Sequence, residues 1–397
     1  MNQEIATLPR PTFAAPAVEA VVTETSHVAA GFIRRTMRKF FSAADWVFGF
    51  GSLVFGLAIL SVVPLLNFLS LGYLLHVSGR VAATGKFRDG FVGVRKASVL
   101  GSFVAGTWLV LWPVRFVSEM WKDANLIAPQ SAVTQGWRVG LIVLTILTVW
   151  HIAWACLRGG RLRHFLWPAP LRFWRWLRTP GKLRRANDAV NRHILGLRLP
   201  YYFWLGLRGF AGALVWLIVP VGILLLATKL EQAPGALLAL PGVLLLLLVS
   251  MHLPFLQTHF ARTGRFAAMF ELREVRNLFC RAPLAYWVAL FASLLFALPL
   301  YLLKIELTPK ELAFLPSLVF VAFIFPARLL TGWAISRALR HEQPRNFFSR
   351  WLGRLAILPV AAVYALFVYI MPFVTWNGAT SLLEQHAFLV PAPLMAK

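Results

Sequence analysis

Long apolar runs separated by short clusters of charged residues dominate the chain from about residue 41 to residue 376. The runs approach the ~20 residues that a helix needs to cross a hydrocarbon core ~30 Å thick. The pattern therefore predicts an all-α, polytopic transmembrane helical bundle with basic interfacial amphipathic helices on the cytoplasmic side. About nine spans are predicted, namely Phe41–Val63, Leu65–Ala83, Val99–Val117, Arg138–Leu157, Trp204–Thr228, Ala236–His259, Leu284–Leu303, Phe314–Ser336 and Leu355–Trp376.

The first two predicted spans depend on how the chain passes Pro64. Proline removes a backbone N–H and clashes with the preceding helical turn, so it favours a break within this run. Basic clusters lie on both flanks of the run, and a single crossing would place one of them outside. We therefore predict a helical hairpin that turns near Pro64–Asn67. A re-entrant pair satisfies the charge rule equally well, and one long tilted helix over Trp46–Val77 is the remaining alternative.

Composition and charge agree with a membrane protein. The chain is 59% hydrophobic and only 14% charged, whereas about 25% of residues are charged in soluble domains. Its 40 Lys and Arg against 15 Asp and Glu give a net charge of +25. In a multi-pass protein the positive-inside bias explains this excess more simply than nucleic-acid binding does. With nine spans, the rule places the N-terminus in the cytoplasm and the C-terminus outside.

The same patterns divide the chain into five regions. Residues 1–31 lack an apolar core and are predicted to be a disordered cytoplasmic tail. Residues 32–157 and 204–376 hold membrane helices, each region with one copy of a hairpin repeat. Residues 158–203 form a basic amphipathic cytoplasmic loop, and residues 377–397 form a short C-terminal tail.

A ten-residue stretch occurs twice, as AATGKFRDGF at 82–91 and as ARTGRFAAMF at 261–270. In each copy a predicted span reaches Thr-Gly, and glycine commonly ends helices. A cation, Lys86 or Arg265, follows at the level of the headgroups. Phenylalanines four residues apart come next, and this spacing would place both rings on one side of a new helix. A duplicated hairpin and two convergent turns both explain the match.

The basic loop contains LRFWRWLR (Leu171–Arg178), in which cations and aromatic residues fall on separate arcs of a helical wheel. This separation predicts a helix lying in the membrane interface with its aromatic face toward the acyl chains. A second amphipathic helix is predicted over Lys182–Arg198. Anionic headgroups of the cytoplasmic leaflet are the expected partner, and an acidic protein partner at 158–203 is the alternative. The predicted anchoring residues are Arg172, Trp174, Arg175, Trp176, Arg178, Lys182, Arg184, Arg185, Lys86, Phe87, Arg265 and Phe266.

Candidate chemistry inside the membrane centres on one arginine. Arg328 lies within a predicted span, where an arginine costs at least about 2.5 kcal/mol and usually faces the bundle interior. The predicted polar cavity comprises Arg328, Arg115, His76, His151 and His252. Structural hydrogen bonding is the favoured role for the histidines, and a proton pathway is the alternative. The chain has no P-loop, GxSxG or HExxH motif and no metal-ligand spacing at its two cysteines, so neither a catalytic site, a metal nor a cofactor is predicted.

Two stretches carry a family resemblance. Val63–Gly85 reads VPLLNFLSLGYLLHVSGRVAATG, and Gly264–Phe291 contains Phe266, Phe270, Glu274, Val275, Arg281, Pro283 and Tyr286 in matching order. Both resemble a prokaryotic multi-pass membrane family known as the domain of unknown function number four thousand and thirteen. The resemblance implies a prokaryotic inner-membrane protein, and it implies no activity because the family has none assigned.

Two functional hypotheses follow from the sequence. The first is a non-enzymatic inner-membrane protein, either permease-like or a scaffold for envelope assembly. The second is a membrane-embedded enzyme acting on lipid, or an ion or proton pathway, that uses intramembrane histidines and Arg328. Convergence of the histidines on one another or on Arg328 would favour the second hypothesis.

Overall fold

The computed structural model describes residues 17–177, 188, 191–192, 195–230, 232–297, 299, 314–375 and 378–384. Within these ranges the regular structure is helical, with no strand, as the sequence predicts. The helices are α1 (Ala17–Val62), α2 (Asn67–Thr84), α3 (Val94–Ile127), α4 (Ala132–Leu157), α5 (Leu162–Leu166), α6 (Pro170–Leu177), α7 (Leu199–Ala227), α8 (Gln232–Thr263), α9 (Leu272–Arg281), α10 (Pro283–Leu295), α11 (Phe314–Leu339), α12 (Phe347–Val374) and α13 (Ser381–Glu384). Three short 3-10 helices cover Phe87–Gly90, Phe266–Phe270 and Gly378–Thr380.

Seven of the described helices are long and apolar enough to cross a membrane, and an eighth crossing results if the bent pair α9–α10 counts as one span. The seven are Met37–Val62, Val94–Ile127, Ala132–Leu157, Leu199–Ala227, Ala233–Thr263, Leu315–Leu339 and Phe347–Val374. The count therefore differs from the nine predicted, at the second and the seventh predicted spans. The chain is a multi-pass helical membrane protein.

The second predicted span, Leu65–Ala83, exists as α2 but is not among the seven. Two of its polar side chains bond to backbone carbonyls inside the protein: Ser70 donates to the Leu57 carbonyl at 2.6 Å, and Tyr73 donates to the Val92 carbonyl at 2.8 Å. Helices α7, α8 and α11 all pack against it. Protein rather than lipid surrounds α2, so this helix tolerates polar residues that a lipid-facing helix excludes.

The seventh predicted span, Leu284–Leu303, begins at α10, but a bend of 113° at Ala282 separates α10 from α9. Pro283 lies at the first position of α10, where a missing N–H costs least, and it blocks continuation of α9. Residues 300–303 of this prediction lie outside the described ranges.

The chain turns where Pro64 predicts a break. Helix α1 ends at Val62 and α2 begins at Asn67, so one long helix over residues 46–77 is excluded. Leu65 adopts φ 68°, and the Asn67 amide donates to the Val63 carbonyl at 3.1 Å. The hydrogen bond from Ser70 to Leu57 joins the two sides of the turn.

The chain forms two compact units, residues 1–48 and 49–397. In the first unit α1 begins at Ala17, within the predicted tail, so residues 17–31 lie in a helix. Residues 1–16 of the predicted tail lie outside the described ranges, as does most of the C-terminal tail after Glu384.

Glycines allow α2 to approach its neighbours at backbone distance within the second unit. A Cβ on Gly72 would overlap the Tyr202 carbonyl oxygen, and one on Gly206 would overlap the Phe68 carbonyl oxygen. Gly332 of α11 lies in the same way against Ser78, whose carbonyl oxygen would be only 2.4 Å from an added Cβ. Small residues at helix interfaces permit such approach in membranes, where apolar burial between helices provides little driving force.

Helices α3 and α4 pack as a pair, with α5 against both. The ring of Phe165 from α5 is buried where Gly106 of α3 leaves room for it, and Phe103 meets it edge-on at 6.3 Å. Trp154 of α4 donates to the Pro168 carbonyl at 2.8 Å. These contacts hold the first part of the basic loop against the α3–α4 pair.

Candidate functional site

A buried polar pair joins α8 to α11 near the middle of α11. Arg328 is 3% exposed, and its Nη2 donates to Oε1 of Gln257 at 2.7 Å. Gln257 is fully buried. The other terminal nitrogen of the guanidinium, Nη1, is also buried and makes no hydrogen bond among the described residues. The prediction that Arg328 faces the bundle interior is in agreement with this placement.

Two threonines extend the polar contact by about one helical turn. Thr258 Oγ1 lies 3.2 Å from Thr331 Oγ1 across the α8–α11 interface, and Thr331 donates to the Arg328 carbonyl at 3.0 Å. Thr258 also donates to the Pro254 carbonyl at 2.8 Å. We call Arg328, Gln257, Thr258 and Thr331 the Arg328 cluster.

Each helix of the Arg328 cluster contains a proline within one turn of its polar residues. Pro254 precedes Gln257 in α8, and Pro326 precedes Arg328 in α11. A proline cannot donate to the carbonyl four residues earlier, so it weakens the helix at that turn. Both helices are therefore loosened at the same level as the buried guanidinium.

The histidines predicted to share a cavity with Arg328 have separate partners on different helices. His76 of α2 lies 3.3 Å from the Tyr201 hydroxyl, and His151 of α4 donates from Nε2 to the Phe165 carbonyl at 2.7 Å. His252 of α8 donates from Nδ1 to the Leu248 carbonyl at 2.8 Å. Since carbonyl oxygens only accept hydrogen bonds, the last two bonds assign the donor role to the imidazole. None of these contacts links a histidine to Arg328.

Arg115 also lies apart from the Arg328 cluster. It is exposed on α3, a helix whose main partners are α4 and α5 rather than α8 or α11. The hydrogen bonds of the described residues therefore do not join the five members of the predicted cavity, of which Arg328 is the one deeply buried.

A second polar cluster lies beside the 3-10 helix that follows α8. Buried His259 contacts Oε2 of Glu271 from Nε2 at 2.9 Å, and Arg265 Nη2 contacts Oε1 of the same carboxylate at 3.1 Å. The hydrogen bond from His259, with the positive charge of Arg265, lowers the pKa of Glu271. In the sequence, Glu271 and Glu274 alternate with Arg273 and Arg276, a spacing that favours ion pairs among these four residues instead. Only the turn at Gly264 brings His259 back to Glu271, which is why spacing alone missed it.

The lowered pKa of Glu271 predicts how acid affects the fold. The carboxylate contributes stability above the ordinary glutamate pKa of about 4.3, and this contribution is lost as the pH falls through the lower folded-state pKa. We expect Glu271→Gln to lower the melting temperature at neutral pH and to converge with the wild type in acid. Thermal unfolding of the purified protein as a function of pH measures this difference. Parallel pH profiles of the two proteins would contradict it.

The repeated stretch has the same backbone conformation in both copies. Gly85 and Gly264 each adopt φ 73°, and their amides donate to the carbonyls four residues earlier at 2.7 and 2.8 Å. The hydroxyls of Thr84 and Thr263 both donate to carbonyls four residues earlier at 3.1 Å. A 3-10 helix follows in each copy. The predicted helix stop at Thr-Gly is therefore present twice.

The phenylalanines of the repeat are arranged differently in the two copies. The rings of Phe266 and Phe270 meet edge-on at 5.7 Å, as their spacing predicts. In the first copy Phe87 stacks on Trp333 at 6.2 Å, whereas Phe91 contacts Phe325 at 5.4 Å. A 3-10 helix rather than a new α-helix follows the cation in both copies, so the winding does not account for the difference. The rings of the first copy instead pack on two different side chains of α11, which lie eight residues apart.

The two glycines provide a test of the shared turn. Alanine at φ 73° is strained by about 1–2 kcal/mol, so both Gly85→Ala and Gly264→Ala are expected to lower the melting temperature. Space around Gly264 is open, whereas Ser336 and Arg340 must also shift for a side chain at Gly85. We therefore expect the larger loss at Gly85. Asparagine tolerates this conformation, and Gly264→Asn should retain more stability than Gly264→Ala; equal melting temperatures for all variants would refute the role of the turn.

Six of the predicted anchoring residues are exposed, and Trp176 is partly covered. Lys86, Phe87, Arg265 and Phe266 all lie at the surface of the turns, and Arg172 and Trp174 are exposed on α6. The aromatic face of α6 is nevertheless divided, because Phe173 and Trp176 pack on Trp154 of α4 at 5.1 and 5.7 Å. The side chain of Arg175 and residues Arg178, Lys182, Arg184 and Arg185 lie outside the described part of the chain, as does most of the predicted helix Lys182–Arg198.

No group of three or more His, Cys, Asp or Glu residues suited to a metal ion occurs in the described ranges. Cys156 and Cys280 are free thiols.

Comparison with known families agrees with the resemblance. Residues 200–307 match the model of a family described as a protein of unknown function (DUF4013). The matched range contains the stretch 264–291, whereas the stretch 63–85 lies outside it. The chain matches no curated protein and no solved structure. The protein is thus a multi-pass membrane protein that resembles, over residues 200–307, a family of unknown function.

Proposed function

We propose that this protein is permease-like and that its solute path passes between α8 and α11 at the Arg328 cluster. The observation that carries the proposal is the guanidinium of Arg328, which is buried near the middle of a span with Nη1 unpaired among the described residues. A charged side chain inside a span is costly and usually marks a functional site. A scaffold that acts through its surface has no need for such a group.

The prolines support the same assignment. Transporters place solute sites near the membrane midplane, where interrupted helices supply polar groups and can rearrange. Pro254 and Pro326 weaken α8 and α11 beside the Arg328 cluster. Movement of either helix at its proline would separate Thr258 from Thr331 and open the interface at Arg328.

The alternative of a histidine-based enzyme or proton pathway receives less support. A relay needs titratable groups within hydrogen-bond reach of one another or of a bridging water. His76, His151 and His252 each bond locally to a tyrosine or to a backbone carbonyl. These contacts agree with a structural role for the three histidines.

Flux through reconstituted protein tests the proposal. Proteoliposomes would be loaded in turn with radiolabelled inorganic phosphate, glucose and choline, and protein-free vesicles would set the background. We expect wild-type protein to speed the passage of at least one probe and Arg328→Gln to abolish the increase. Arg115→Gln is the matched control, because Arg115 lies exposed in a different span. Background flux for all three probes, or equal flux through Arg328→Gln and wild type, would overturn the proposal.

A further inference from the structure

We propose that the Arg328 cluster binds a small oxyanion, a carboxylate or phosphate group, through the guanidinium of Arg328. This inference rests on the proposed function, since it names the class of solute that the same site would take. Three features of the site carry it: the uncompensated charge, the unpaired N–H groups and the state of the neighbouring hydroxyls.

The charge of Arg328 has no carboxylate partner in the described part of the chain. Its hydrogen-bond acceptor is the neutral amide of Gln257. The ion pairs of the described residues both involve Glu271, which lies beyond the end of α8. An oxyanion would neutralise the buried guanidinium, whereas a cation would meet a fixed positive charge at this position. The electrostatics therefore select an anionic ligand.

The buried polar atom of the Arg328 cluster that lacks a partner among the described residues is a donor. Nη1 of Arg328 is buried without an acceptor among the described residues. A guanidinium presents its N–H groups as a planar fork that matches the two oxygens of a carboxylate or phosphate. Gln257 occupies Nη2, so a ligand would bind at Nη1 and compete with the amide for the second position. A buried polar group left unpaired is costly, and an oxyanion would remove that cost.

The neighbouring hydroxyl protons are already committed. Thr331 donates to the Arg328 carbonyl at 3.0 Å, and the single hydroxyl proton of Thr258 is shared between the Pro254 carbonyl at 2.8 Å and Thr331 Oγ1 at 3.2 Å. The threonines therefore hold α8 to α11 rather than offer donors to a ligand. The guanidinium is therefore the group that recognises the ligand. We expect the site to select a solute by its negative charge and its pair of oxygens rather than by the rest of its structure.

Ligand-dependent melting of the purified full-length protein tests the assignment. Acetate and inorganic phosphate would be compared with acetamide, a neutral analogue of acetate, and with chloride at equal ionic strength. We expect acetate or phosphate to raise the melting temperature in a saturable way, and acetamide and chloride to leave it unchanged. Nanodiscs of phosphatidylglycerol and of phosphatidylcholine form a separate arm. Stabilisation by phosphatidylglycerol with no response to the free anions would assign the oxyanion to a lipid headgroup.

Two variants separate binding from folding. Arg328→Lys keeps the charge but loses the planar fork, and we expect the apparent affinity to fall by about tenfold or more. Gln257→Glu places a carboxylate of the same shape beside the guanidinium. It should raise the melting temperature in the absence of anion and abolish the response to added acetate or phosphate. Arg115→Gln should respond as the wild type does.

The outcomes distinguish the two proposals. Anion-dependent stabilisation that requires Arg328, with background flux in proteoliposomes, would support the oxyanion site and overturn the permease. Flux of glucose or choline that Arg328→Gln abolishes, with no response of the melting temperature to acetate or phosphate, would support the permease and overturn the oxyanion site. A wild type whose melting temperature responds to none of the oxyanions or lipids, or a Gln257→Glu variant that retains the full response, would overturn this inference.

Discussion

Gly206→Ala is expected to prevent assembly of the central helices, although it adds a single methyl group. The new Cβ would overlap the Phe68 carbonyl oxygen and come within 2.9 Å of the Gly72 amide nitrogen. Both obstacles are backbone atoms, so no change of rotamer relieves them, and α2 and α7 would have to separate. Overpacking typically costs about 1–3 kcal/mol, and a backbone obstacle places this site at or above the upper end.

Gly222 in the same helix provides the matched control, because no heavy atom lies within 4 Å of the position that a Cβ would occupy there. Alanine is the better helix former by about 0.8–1 kcal/mol, so Gly222→Ala should fold normally or gain stability. The yield of monodisperse protein in detergent and its melting temperature measure both effects. Equal behaviour of the two variants would show that close approach of α2 to α7 does not limit assembly.

Gln257→Leu is expected to destabilise the bundle more than loss of an ordinary hydrogen bond would. The substitution removes the acceptor at 2.7 Å from Arg328 and leaves a buried cation without that partner. A hydrogen bond to a charged group contributes about 1.5–3 kcal/mol, whereas replacing both partners by apolar residues of similar shape is often nearly neutral. The double variant Gln257→Leu with Arg328→Met should therefore recover most of the lost stability.

A double-mutant cycle on melting temperature measures this coupling. Gln135→Leu is the matched control, since Gln135 is exposed near the start of α4 and its substitution leaves no buried charge behind. Additive losses in the double variant would contradict the coupling of Gln257 to Arg328. Such a result would also weaken the site on which both proposals rest.

The sequence predicted the helical class and several helix limits because membrane insertion depends on local composition. A run of apolar residues predicts a membrane helix whatever that helix packs against. Helix α4 ends, and helix α11 begins, where the apolar runs predict. The helix ends at Gly85 and Gly264 were also predictable from the sequence, because a positive φ favours glycine in any context. The break near Pro64 was predictable because proline disrupts a helix interior through its own missing N–H and its clash with the preceding turn.

Predictions about which helices lie next to one another were less successful. The apolar pattern predicted α2 as the second span of a hairpin, but it contained no information that α7, α8 and α11 pack against this helix. The predicted polar cavity grouped five polar side chains of the predicted spans, yet His151 and Arg115 belong to the α3–α4 pair and Arg328 to the α8–α11 interface. Depth along a span is a property of sequence, but direction around the bundle is not.

What the sequence determined by itself was the membrane class, the basic character of the loop and the two glycine turns, all of which follow from residue type and short-range spacing. Only the tertiary structure decided that Arg328 pairs with Gln257, 71 positions away, and that His259 meets Glu271 across a turn. The physical reason is that lipid gives apolar helices little preference for particular neighbours. Backbone contact at glycines and a few polar pairs must supply that preference, and both depend on helices that are distant in the chain.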